Sequence, residues 1–181
     1  CVYSTHSEKA RMWPLTLLWE LPDRRKEMIR QYGADVFVET GTGSGDSLSW
    51  AVNTSWFKEV HSIEIRGAPY ESLAATMPQS SRSSIRLYAG SSPTVLPQFL
   101  DRNKKTVFWL DAHWDAGSPD PPDPLYGQCP LLNELEIICA MQWSTPPLIM
   151  IDDVTSTYSD EWWRKYAVPK QDRNEWPRLD Q

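Results

Sequence analysis

VFVETGTGSGD, residues 36–46, runs a short apolar segment straight into three alternating glycines. The apolar half has the pattern of a buried strand. Gly41, Gly43 and Gly45 let the backbone take positive φ and approach a ligand that a Cβ would hold off. Glu39 closes the strand. A carboxylate there has two roles open to it: meeting a positively charged ligand group, or holding the turn through its backbone amides. The spacing ends differently from a dinucleotide site, because Asp46 stands where the third Gly or Ala belongs. A phosphate-cradling loop would place Lys and then Ser or Thr after its last glycine; here Gly45 is followed by Asp46 and Ser47. Both departures point away from pyrophosphate and triphosphate ligands.

Working outward, the elements alternate. DRRKEMIRQY (Asp23 to Tyr32) predicts a helix capped by Asp23 and ended by Gly33. Val36 to Glu39 is the first strand, and Asp46 to Val52 the helix after it. EVHSIEI (Glu59 to Ile65) predicts a second strand, Tyr70 to Met77 a helix stopped by Pro78, and SIRLY (Ser84 to Tyr88) a third strand. Thr94 to Leu100 predicts a short helix despite Pro97. TVFWL (Thr106 to Leu110) is a fourth strand, LLNELEIICAM (Leu131 to Met141) an amphipathic helix, and PLIMI (Pro147 to Ile151) a fifth strand. Repeated β/α alternation calls for a Rossmann-like, doubly wound α/β fold: a mainly parallel sheet with helices on both faces. Strands one, four and five are almost wholly apolar, as strands covered on both sides are. The expected organisation is one domain: an N-terminal helical segment (1–33), a ligand-binding core (34–153) and a C-terminal segment (154–181).

Composition narrows the function. A chain of 181 residues with 40% hydrophobic content suits a single soluble domain. Net charge of -6 argues against nonspecific binding to nucleic acid or to an anionic membrane. No apolar run approaches the roughly 20 residues of a membrane helix. Cys1, Cys129 and Cys139 are too few and too scattered for a disulfide framework or zinc site, so a reducing, cytoplasmic setting is expected. Trp162 and Trp163 lie in polar surroundings and suit a substrate or partner surface.

In such sheets ligands bind beyond the carboxyl ends of the strands. Those ends supply Glu39, Glu64, Asp111 with His113, and Asp152 with Asp153. Glu64 follows the glycine turn at a distance suited to a ribose-binding acid. A carboxylate offers two acceptor oxygens and no donor, which matches a ribose diol.

With VETGTGSGDS (38–47), HSIEI (61–65), LYAGSS (87–92), WLDAHW (109–114) and LIMIDD (148–153) in place, the chain resembles the class I S-adenosylmethionine-dependent methyltransferases. The Leu110-Asp111-Ala112-His113 and Ile151-Asp152-Asp153 segments resemble those of small-molecule O-methyltransferases that hold a metal between these two strands. The resemblance implies that Glu39, Gly41, Thr42, Gly43, Gly45 and Ser47 meet the cofactor's methionine and nucleoside parts. It implies that Glu64 binds the ribose, that Gly90, Ser91 and Ser92 flank the adenine, and that Asp111 borders the cofactor. The family's usual acid after the third strand is absent.

The expected activity is methyl transfer from S-adenosylmethionine to a small-molecule hydroxyl. Asp111 and His113 are the candidate catalytic groups. Asp111, His113, Asp152 and Asp153 could hold a divalent ion such as Mg²⁺ or Mn²⁺; alternatively His113 acts as general base without metal. The 115–130 loop, with Trp114 and Tyr126, is expected to cover the acceptor. Amino-methylating DNA enzymes would carry Asp/Asn-Pro-Pro-aromatic after the fourth strand, where this chain has Asp111-Ala112-His113-Trp114. A different reading is a nucleoside-binding module or subunit without turnover. It is motivated by residues 154–181, where a full strand hairpin is doubtful; a minimal sheet, a fragment, a second copy or a partner subunit would account for this. An NAD-type oxidoreductase is disfavoured by Asp46 and by the lack of a Tyr-x-x-x-Lys pair.

Overall fold

The computed structural model describes residues 23–66, 85–114 and 120–152. Helix α1 (Asp23–Tyr32) has the predicted bounds, and Gly33 ends it at φ +62. There follow β1 (Val36–Thr40), α2 (Asp46–Thr54), β2 (Glu59–Glu64) and β3 (Ile85–Ala89). Then come α3 (Ser92–Val95) with a 3-10 turn over Leu96–Gln98, β4 (Thr106–Leu110), α4 (Leu131–Ala140) and β5 (Leu148–Ile151). The short helix expected from Thr94 starts two residues earlier, because Pro93 has no N–H to lose at a first helical turn. The helix predicted over Tyr70 to Met77 and the C-terminal segment lie outside the described residues.

All five strands are parallel, in the order β3-β2-β1-β4-β5. Val36 pairs with Glu59 on one side and Thr106 on the other. The chain therefore builds outward from β1 through β2 to β3, then crosses back to add β4 and β5. Strand order reverses between β1 and β4, where a doubly wound sheet opens its binding crevice.

Side-chain alternation divides the core into two layers. Phe37, Val107 and Trp109 pack against Ile29 of α1 and Leu48 and Ala51 of α2. Val36, Val38, Phe108 and Leu110 pack on the other face against Val95, Leu96 and Ile138 of α4. Covered on both sides, β1 and β4 are buried along their full length. The apolar sequence of β5 led to the same expectation, but β5 is only partly buried because it lies at the edge of the described sheet.

Cys139, in α4, is disulfide-bonded. This departs from the reduced thiols that the cysteine count predicts. Among the described residues no helix is long and apolar enough to cross a membrane.

Candidate functional site

The sheet's ladder continues one step past its strands at the carboxyl edge. Gly90 N–H donates to Glu64 O (2.9 Å), Gly41 N–H to Ile63 O (2.9 Å), Asp111 N–H to Thr40 O (3.0 Å) and Asp152 N–H to Leu110 O (3.0 Å). These bonds hold five strand tips in one row. The residues at the tips thus sit on a hydrogen-bonded backbone frame.

The glycine turn needs its glycines for two different reasons. Gly41 has φ +78, and a Cβ there would lie 2.3 Å from the Asp111 carbonyl oxygen. The tips of β1 and β4 approach too closely for any side chain between them. Gly43, at φ +51, faces open space: a Cβ would meet nothing within 4 Å. Gly45, at φ +83, turns the chain into α2.

Glu64 holds the turn from the neighbouring strand. Its Oε2 accepts from Gly43 N–H (2.9 Å), and its Oε1 from the N–H and Nε of Arg66 (3.0 and 3.1 Å). Glu39 does not face the ligand space. Strand alternation turns it into the α2 layer, where it is fully buried and accepts from the Ser47 and Ser62 hydroxyls. Thr42 Oγ1 joins the same group through Ser62 Oγ (2.6 Å). Glu39, Thr42 and Ser47 therefore support the turn from behind.

In front of the turn lies a cavity of about 220 Å³. One side is formed by Gly41, Gly43, Glu64, Gly90, Ser91 and Ser92. The other is formed by Asp111, His113 and Trp114 together with Asp120, Pro121, Pro122 and Gln128. The sequence reading named the first group and the start of the second. The Asp120-Pro121-Pro122-Asp123 segment also lines the cavity. Trp114 is pinned by its N–H to Gln128 O and by its indole N–H to Asp120 O, both 2.7 Å. Tyr126 is not among the lining residues; its hydroxyl lies 3.5 Å from Thr94 Oγ1. Turn bonds from the backbone N–H groups of Leu125 and Tyr126 to Asp123 Oδ1 tie this segment to its own loop.

His113 Nε2 stands 3.5 Å from Asp111 Oδ1, and Nδ1 3.5 Å from the Trp114 carbonyl. The two candidate catalytic residues are neighbours on the cavity wall. Asp152 is buried at the tip of β5 and does not line the cavity. Asp153 lies outside the described residues. Among the described residues, no group of three or more His, Cys, Asp or Glu side chains is arranged to hold a metal. Of the expected four ligands, Asp111 and His113 share the cavity wall and Asp152 does not.

One functional-looking carboxyl escaped the sequence reading. Glu134, on α4, is 1% exposed and accepts from the Ser92 hydroxyl. Its signal was its position: in LLNELEIICA it falls three residues after Leu131 and four before Ile138, on the face that packs against the sheet.

Burial raises both hidden carboxyls. Desolvation pushes Glu39 up to about 8, with the Ser47 and Ser62 hydroxyls pulling it back and Asp111 and Glu64 raising it further. Desolvation likewise pushes Glu134 up to about 7, opposed by the Ser92 and Thr40 hydroxyls. Between the ordinary 4.5 and these values the folded chain holds protons that the unfolded chain has released. Their stabilising contribution is thus complete below about pH 4.5 and is lost as pH rises through about 7 to 8. We expect wild-type melting temperature, measured relative to Glu39→Gln, to fall between pH 5 and 8. A relative melting temperature that stays flat over that interval would show Glu39 to be ionised in its pocket.

No family model and no curated protein matches the chain. Among solved structures it resembles a provisionally assigned methyltransferase from Streptococcus mutans, solved in complex with SAH. The TM-score is 0.50 at 10% identity, covering 83% of this chain and 86% of that one. The methyltransferase domain of bacterial CtHen1-CN gives a TM-score of 0.49 at 10% identity, over 87% of this chain and 76% of that one. At this identity the first likeness speaks to the fold. The chain has the Rossmann-like α/β fold that the Streptococcus mutans protein has.

Proposed function

We propose that this chain binds S-adenosylmethionine in the cavity at the β1/β4 tips and transfers its methyl group to a hydroxyl of a small molecule. The observation that carries the reading is the cavity itself. A ribose-type acid and an open glycine turn form one wall, and an Asp-His pair forms the facing one. The residues fit such a cofactor in two respects. Gly43 leaves free space where a side chain would intrude. A carboxylate has about four acceptor positions, and Glu64 uses three of them on Gly43 and Arg66. One ribose hydroxyl can take the fourth, and the second needs Arg66 to release its place.

When bound, the cofactor supplies an electrophilic methyl group. The chain's own work is alignment and proton removal. Gly41, Gly43 and Glu64 would fix the nucleoside end, with Ser91 and Ser92 beside the base. His113 would take the acceptor hydroxyl's proton, imidazole being suited to that task near neutral pH. Asp111, beside it, would orient the ring and meet the charge it gains. Trp114, Pro121 and Pro122 would flank the acceptor.

The test is release of SAH from S-adenosylmethionine with panels of hydroxylated and amine-bearing acceptors, each with and without EDTA. We expect release that requires a hydroxylated acceptor, persists in EDTA and falls at least about 100-fold in His113→Ala, the scale of a lost general base. Release with amines alone would overturn the hydroxyl preference. Loss in EDTA would restore the metal reading. Binding without turnover on either panel would favour the nucleoside-binding module.

A further inference from the structure

We propose that Glu134 is a positioning residue that ties the loop after β3 to the tips of β1 and β4, and so sets the shape of the cavity. This inference rests on the reading of the cavity as a cofactor site. Three contacts make the connection. The Ser92 hydroxyl, at the start of α3, donates to Glu134 Oε1. The Thr40 hydroxyl, at the end of β1, lies near enough to the same carboxyl to offset part of the rise that burial causes. Thr40 Oγ1 in turn accepts from Asp111 N–H at 3.3 Å, on the tip of β4. Ser92 and Asp111 both line the cavity, whereas Glu134 and Thr40 lie behind it.

Packing alone does not ask for an acid at this position. Val95, Leu96, Leu110 and Ile138 surround this side of the sheet with apolar surface. A buried carboxyl is costly there, and an apolar side chain of similar size would generally fit as well or better. Glu134 Oε2 has no hydrogen-bond partner among the described residues, so the acid is not even fully satisfied. What the carboxyl adds is direction: it holds the Ser92 hydroxyl, and with it the Gly90–Ser92 wall, at a fixed distance from β1. The raised pKa is consistent with this setting, Asp111 being the charged neighbour that adds to the effect of burial. A group placed for stability and a group placed for geometry respond oppositely to an apolar replacement, which makes the distinction measurable.

The experiment measures SAH affinity by calorimetry and melting temperature for wild type, Glu134→Gln, Glu134→Leu and Ser92→Ala. We expect Glu134→Leu to melt at or above the wild-type temperature yet bind SAH at least about tenfold more weakly, the scale of one lost hydrogen bond to a charged group. Glu134→Gln, which keeps an acceptor for Ser92, should stay within about threefold of wild type. Ser92→Ala removes the same link from the other end and should weaken binding like Glu134→Leu; it carries the test if the leucine variant does not fold. Wild-type affinity in Glu134→Leu, or in Ser92→Ala should the leucine variant not fold, would overturn the inference and leave the cofactor reading standing. Absence of SAH binding by the wild type would instead overturn the cofactor reading beneath it.

Discussion

Gly41→Ala should abolish measurable SAH binding and destabilise the protein. Two penalties combine at this position. Alanine would be forced to φ +78, and its Cβ would be placed 2.3 Å from the Asp111 carbonyl oxygen and 2.7 Å from its carbon. Both atoms are backbone, so no side chain can move aside. The strands would have to separate at the switch point, breaking the bonds Gly41 to Ile63 and Asp111 to Thr40. Backbone strain and overpacking of this kind cost about 3 kcal/mol together. An affinity loss of at least about 100-fold corresponds to a similar energy at the cavity. Gly43→Ala is the informative contrast. It too has positive φ, but its Cβ enters open space. It should fold with a cost of only about 1 kcal/mol and lose affinity in proportion to how closely the ligand approaches the turn. Chemical denaturation and calorimetry on the two variants separate these effects. Equal SAH affinity in wild type and Gly41→Ala would mean that the β1/β4 junction plays no part in the site.

Glu64→Ala should weaken SAH binding about 100-fold, the scale expected when more than one hydrogen bond to a charged group is lost. The substitution removes the acceptor that holds Gly43 N–H and Arg66 and the acceptor offered to the ribose. Glu64→Gln keeps the length and one acceptor oxygen, so its loss should be nearer tenfold, about one such bond. Arg66→Ala gives the prediction its edge. Arg66 occupies Oε1 through both its N–H and Nε, and only the Nε contact depends on the side chain. Removing that side chain releases an acceptor position, so Arg66→Ala should bind SAH at least as tightly as wild type. Unchanged affinity in Glu64→Ala would remove the ribose role from Glu64.

The fold could be read from the sequence because its signals were local. Three alternating glycines after VFVET, Gly33 after an amphipathic run, and β-branched segments between helices each mark an element boundary without tertiary information. The strand tips followed from the same pattern. What each tip residue faces did not follow. Glu39 and Glu64 both end strands next to the glycine turn, yet Glu39 is committed to Ser47 and Ser62 while Glu64 reaches the cavity wall. Both turn toward the same layer; the difference is that Ser47 of α2 covers Glu39, whereas Glu64 stands one step further out, beside Gly43. Ser62 as a partner of Glu39 lies 23 residues away and carries no motif. Glu134 was hidden because an acid in an amphipathic helix, like Glu136 beside it, ordinarily reads as solvent-facing; only its i+3, i+4 placement beside Leu131 and Ile138 marks it as buried. Tyr126 is the converse case: its backbone N–H is tied to Asp123 in its own turn, and it is not among the cavity-lining residues.

Calorimetric titration of the wild-type chain with SAH, beside NADH at the same concentrations, tests the central claim most directly. One SAH should bind saturably per chain in the micromolar range, with no heat from NADH. No heat from SAH at millimolar concentration, or binding of NADH in its place, would contradict it.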